Sequence, residues 1–234
     1  TITIMSEEQK PLVDAQVEEQ GSYKNVEDFF LKNRNMIIGA LGVLILAIGG
    51  YFGYKKLYME PRVITAQDKI AGAEAYFNKD SFALALNGDG AVSGFLAVIE
   101  NYGNTPSGNM AHYYAGICYL KTGDLDNTIK HLEDYKPGTD ELAGLTYVTL
   151  GHAYADKKDY KKAIELYKKA GESADNNLQS PTYYKYAGDL MAEQNDLKGA
   201  LDMYRKIKQL YPLSQEGQNI DLDITYAETK LGGK

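Results

Sequence analysis

The chain has 234 residues, 44% hydrophobic and 24% charged, a composition that excludes a wholly disordered or collagen-like polymer. With 25 basic against 32 acidic residues the net charge is −7, so no summed basic field exists to hold a phosphate backbone and nucleic acid is not an expected partner. The single cysteine, Cys118, excludes a disulfide framework, a thiolate zinc cluster and a CxxC redox pair.

Residues 1–35 carry seven acids and four bases, with few large apolar side chains before Phe29, and read as a mostly disordered acidic tail. Its last part, Val26 to Leu31, is compatible with an interfacial helical stub. Next comes Met36 to Tyr54, 19 residues without a charge. At about 1.5 Å per residue the run spans roughly 28 Å, close to the hydrocarbon thickness of a bilayer. It is expected to be a single transmembrane helix in contact with lipid. A buried core helix would show a polar edge, and a signal peptide would have a shorter apolar region and an A-x-A-like site after it, which Gly49 to Lys56 does not supply. Three nearby bases precede the span (Lys24, Lys32, Arg34) and four follow it (Lys55, Lys56, Arg62, Lys69), so charge counting assigns no orientation.

Residues 55–64 are expected to be a linker. Beyond it, the prolines at 106, 137, 181 and 212 separate apolar-periodic stretches, and no run has the period of a strand, so the remainder is expected to be all-α. A self-comparison places Gly116, Gly151 and Gly188 at equivalent positions, each followed eight residues later by an acid: Asp124, Asp159 and Asp196. Second helices follow with Thr128/Leu132/Tyr135, Ala163/Tyr167/Ala170 and Ala200/Tyr204/Ile207. These intervals are those of the tetratricopeptide repeat, a helix pair in which small residues allow close approach and larger ones fill the groove. The expected fold is therefore an all-α solenoid over residues 65–212, with three clear repeats and one degenerate copy. In that copy the first helix runs about Thr65 to Asn78, and Ala91, Phe95 and Val98 stand in the second, after a turn at Asn87 to Gly90. Residues 213–234 should form a capping helix with a polar outer face and a short tail.

Gly116, Gly151, Gly188, Ala163 and Ala200 are the expected helix-packing positions. The first helix of each repeat lines the concave face, which assigns Met110, Tyr113, Ile117, Leu120, Leu145, Val148 and His152 as a largely apolar partner-binding set. Either this strip is open to a partner or the degenerate copy covers part of it. Lys and Asn do not recur at the positions that clamp terminal carboxylates in chaperone-binding repeats. His112, His131 and His152 fall at unrelated repeat positions and are expected to be two packing histidines and one exposed. There is no HExxH, nucleophile elbow or phosphate loop, so no catalytic residue, metal or cofactor is expected.

The order of acidic tail, single span, linker, three to four repeats and a last helix after Ser214 to Ile220 resembles the YfgM-type ancillary subunit of the bacterial Sec translocon. The resemblance runs from about Tyr23 onward. It implies a bacterial inner-membrane protein with a cytoplasmic N-terminus and a periplasmic repeat domain. It also implies partnership with the SecYEG channel and a PpiD-type prolyl isomerase, acting on exported polypeptides without enzymatic activity. The alternative left by the residues alone is an anchored scaffold or assembly factor for another envelope or secretion complex.

Overall fold

The computed structural model describes residues 29–232, which divide into two compact units at Glu60/Pro61. Of the acidic tail expected over residues 1–35, residues 1–28 lie outside the described residues, as does the first half of the stub at Val26 to Leu31. Residues 29–35 are helical apart from a turn at Asn33 and not disordered, continuing the apolar helix toward the N-terminus.

In the first unit, α1 (Arg34–Tyr54) begins two residues before the expected start of the span, and none of its residues is buried. Lys55–Met59 then form a π-helical turn, and α2 starts at Glu60, so residues 55–64 are helical and not an irregular linker. Two features account for this. KKLYM holds no glycine or proline to stop a helix, and Pro61 stands in the first turn of α2, where a missing N–H is tolerated. A widened π turn is the local adjustment helices make beside an interrupted hydrogen-bond ladder.

The second unit opens with α2 (Glu60–Phe77), a short α3 (Phe82–Asn87) and α4 (Phe95–Tyr102). Ala91 is not in the second helix of this module, as the repeat spacing had suggested, but in the loop before it. The Asp89 carboxylate captures the amides of Ala91 and Val92 at 2.9 and 2.7 Å, an Asx-type arrangement that competes with helix. Gly90 adopts φ 92, and Gly88 pairs with Ser93 in an isolated bridge. The extra helix α3 occupies the insertion. Ile70 and Ala73 of α2, Leu86 of α3 and Phe95 and Val98 of α4 are buried in one cluster with Ala111, Ala115 and Cys118 of the next helix.

Three helix pairs follow: α5 (Pro106–Thr122) with α6 (Leu125–Asp134), α7 (Asp140–Asp156) with α8 (Tyr160–Ala174), and α9 (Ser180–Glu193) with α10 (Leu197–Leu210). Each is joined by the same turn. The residue before the cap is left-handed in all three: Gly123 at φ 83, Lys158 at φ 64 and Asn195 at φ 63. The following amide, of Asp124, Asp159 or Asp196, donates to a carbonyl five residues back at 2.9, 2.9 or 2.8 Å. The same Asp then accepts from the third amide of the second helix, Asn127, Lys162 or Gly199, at 3.0–3.1 Å. One short acid thereby serves both helix ends, and the left-handed residue satisfies a first-helix carbonyl.

The C-terminal segment splits into α11 (Gln215–Asn219) and α12 (Asp221–Gly232). Ile220 and Ala227 are buried, and Ile220 packs with Ile207 and Tyr204 of α10, closing the stack. Arg205–Glu228 at 2.6 Å and Lys208–Asp221 at 2.8 Å tie α12 to α10. Its outer face is not wholly polar, as a cap was expected to be: Leu222 is 81% exposed and Tyr226 57%.

Candidate interaction surface on the first helices of the repeats

The helix pairs approach through glycine. A Cβ built on Gly116 would lie 2.6 Å from Leu132 Cγ, on Gly151 2.5 Å from Tyr167 Cε1, and on Gly188 2.6 Å from Tyr204 Cε1. The large partner stands sixteen residues after the glycine in every repeat. Ala163 and Ala200 are fully buried on the second helices.

Where that large residue is Tyr, its hydroxyl needs a partner at the edge of the helix pair. In the first repeat the large residue is Leu132, which has no hydroxyl to satisfy, and Ile117 stands where the later repeats have His152 and Asp189. In the second, the Tyr167 hydroxyl is hydrogen-bonded to His152 Nδ1 at 2.8 Å. In the third, the Tyr204 hydroxyl donates to Asp189 Oδ1 at 3.0 Å, and Lys185 Nζ donates to both oxygens of the same carboxylate at 2.8 and 2.9 Å. Burial raises the phenols of Tyr167, to about 12, and of Tyr204, so both stay protonated at neutral pH.

The seven residues assigned to partner binding are not equally available. Val148 is buried with Ala163, Tyr167 and Ala187, so it belongs to the interior. Met110 is half-buried against the cluster shared with α2, α3 and α4. Tyr113 is half-buried against Leu132, Leu150 and Leu166 and touches the Tyr135 and Tyr114 rings at 5.3 and 5.9 Å. Ile117, Leu120, Leu145 and His152 are half-buried.

Further along, an open cleft of about 350 Å³ lies between α7 and α9. His152, Tyr167 and Tyr186 form its aromatic wall, with ring centroids 5.3–5.6 Å apart, and Asp156, Asp189 and Glu193 add three acids. Neither Tyr186 nor the pairing of Asp156 with Glu193 was singled out by the sequence. Repeat arithmetic contains the signal: each acid stands five residues after its glycine, where the first repeat has Lys121.

His112 and His131, at unrelated repeat positions, meet with Nδ1 atoms 3.3 Å apart, and His131 stacks on Tyr119. Adjacent helices bring together what separate repeat positions had kept apart in the sequence, and none of the three histidines is fully exposed. Burial holds all three below the usual imidazole range. Among the described residues no group of three or more His, Cys, Asp or Glu side chains is arranged to hold a metal ion. Cys118 is buried and burial pushes its thiol up to about 12, so it is a packing residue without thiolate character.

Stacked helix pairs with identical turns, glycine contacts and a terminal capping helix define a helical-repeat scaffold, a class that works by presenting surface to other proteins. The chain belongs to the tetratricopeptide repeat-like domain family, whose model matches residues 27–222. No curated protein sequence matches the chain significantly. Among solved structures it is similar to the nearly identical TPR-like repeats ascribed to a kinesin light chain of Podospora anserina. That likeness has 13% identity and a TM-score of 0.52, and covers 72% of this chain and 87% of that one. It is also similar to the MamA protein, with 16% identity and a TM-score of 0.50, over 72% of this chain and 91% of that one. At these identities the likeness shows the fold alone. The repeat domain is a protein-interaction module, and such repeats are generally non-enzymatic.

Proposed function

We propose that the chain is a membrane-anchored interaction module, ancillary to a bacterial Sec translocon, acting beside a periplasmic chaperone or prolyl isomerase on exported polypeptides. The observation that carries the anchored part is α1. Its 21 residues include none that is buried, and Leu46, Val43 and Ile45 are 76%, 68% and 68% exposed. The helix is apolar and long enough to cross a membrane. Exposing so much apolar surface to water is costly, whereas lipid removes that cost and leaves every backbone group satisfied within the helix. The half-buried strip of Tyr113, Ile117 and Leu120 supports a partner that is another polypeptide. The order of tail, span and repeats supports the translocon.

The test is affinity purification of the full chain from membranes in mild detergent. Recovery of channel subunits with an anchored prolyl isomerase is the expected result. Recovery of a different envelope complex alone overturns the translocon assignment in favour of a scaffold for that complex.

A further inference from the structure

The cleft between α7 and α9 carries an arrangement that packing does not explain. Asp156 and Glu193 are the last residues of these two helices, and neither helix has a base in its last turn. A carboxylate at a helix C-terminus opposes the negative end of the macrodipole, so each acid stands where it works against its own helix. Lys157, which follows Asp156, does not compensate, because its ammonium pairs with Asp126 of α6. Among the described residues, neither Asp156 nor Glu193 has a salt bridge, and no Lys or Arg lines the cleft. The negative ends of two neighbouring helices and two unneutralised acids at equivalent repeat positions thus act on one cleft of about 350 Å³.

Its wall is the second, independent feature. Tyr167 and Tyr186 have ring centroids 5.6 Å apart and 53° between planes, and both meet His152 at 5.3 Å. Tyr186 remains 38% exposed, which leaves part of a ring open to the cleft. The negative face of a phenol and a nearby carboxylate both attract a cation, and together they suit a planar guanidinium or an ammonium. Asp156 and Glu193 also contribute to raising the Tyr167 phenol, which places their charge near that ring. His152 adds no opposing charge at neutral pH, because burial lowers its ionisation.

We infer that this cleft binds an arginine or lysine side chain of a polypeptide partner, with Asp156 and Glu193 supplying the charge and Tyr186, backed by the buried Tyr167, the open ring face. The inference rests on the repeat domain being an interaction module and adds the chemistry of what it grips. It is the reverse of a carboxylate clamp: the repeat surface presents acids and takes a base.

The test uses the full chain in neutral detergent, titrated calorimetrically with acetyl-(Ala-Arg)3-amide and with the same peptide carrying citrulline, which keeps the shape and loses the charge. The arginine peptide should bind at least about tenfold more tightly, and its affinity should fall as salt rises from about 0.05 to about 0.3 M. The double variant Asp156→Asn/Glu193→Gln should lose at least about fivefold in affinity for the arginine peptide with an unchanged or higher melting temperature, since it also relieves the helix ends. Asp202→Asn, an exposed acid on α10 that does not line the cleft, should bind as the parent does. Equal binding of both peptides, or equal loss in the Asp202 variant and the double variant, overturns the inference. Purified complexes report separately on the Proposed function: a recovered translocon with no arginine preference sinks this inference alone.

Discussion

Gly151 lies beneath the ring of Tyr167, so close that a Cβ added there would come within 2.5 Å of Cε1 and 2.6 Å of Cδ1. The ring is held in place by its hydroxyl on His152 at 2.8 Å, so it does not swing away freely. Gly151→Ala is therefore expected to destabilise the domain by about 1–3 kcal/mol through overpacking, despite the better helix propensity of alanine. Urea unfolding followed by circular dichroism reads this directly. A stabilised variant would show that helix propensity outweighs the contact.

Lys158 occupies the left-handed position that glycine holds in the first repeat, with φ 64 against φ 83 at Gly123. Its side chain is exposed, and the presence of a Cβ is strained there. Lys158→Gly should raise stability by up to about 1 kcal/mol, less the entropy that glycine adds to the unfolded chain. The same measurement gives the sign. A loss of stability would mean that the lysine is held by more than its backbone.

The histidine pair has a pH signature. Two imidazoles with Nδ1 atoms 3.3 Å apart bond only while at least one is neutral, and burial lowers both, with Lys130 opposing and Asp134 favouring protonation. The unfolded chain binds these protons more readily, so stability from this source is complete above the ordinary histidine value, about 6.5, and is lost as pH falls below it toward the lowered folded values. Melting temperature should fall between about pH 6.5 and pH 5, before the carboxylates titrate. His112→Gln should flatten that slope. A parent curve flat in this window would contradict the pairing.

Binding should separate from folding at Tyr113 and Ile117. Both are half-buried, so changing them to Ser should weaken recovery of the partner by about 2 kcal/mol or more while leaving helical content nearly intact. Lys161→Ser, at an exposed site on α8, should do little. Quantitative pull-down beside circular dichroism decides it. Unfolding with no separable binding defect would assign both residues to the interior.

Orientation is testable by labelling. With Cys118 replaced and single cysteines placed in the tail and at Gly232, an impermeant maleimide applied to intact spheroplasts should reach the C-terminal site and not the tail. The reverse pattern would put the repeats in the cytoplasm.

The helical class, the repeats and their period were legible in the sequence because they are local. Gly116, Gly151 and Gly188 recur at a fixed distance before an acid, and the acid caps the next helix through a contact only three residues long. The apolar run from Met36 to Tyr54 is equally local, since length and the absence of charge define it. What only the tertiary structure decided depends on which helix lies beside which. Asp89 pulls Ala91 out of a helix that spacing alone favours, and Val148 turns into the core although its repeat position lines the inner face. His112 meets His131 across α5 and α6, and Asp156 and Glu193 come to flank one aromatic cleft although 37 residues separate them. A repeat period states which positions are equivalent, whereas packing determines which equivalent positions become neighbours and what chemistry they form together.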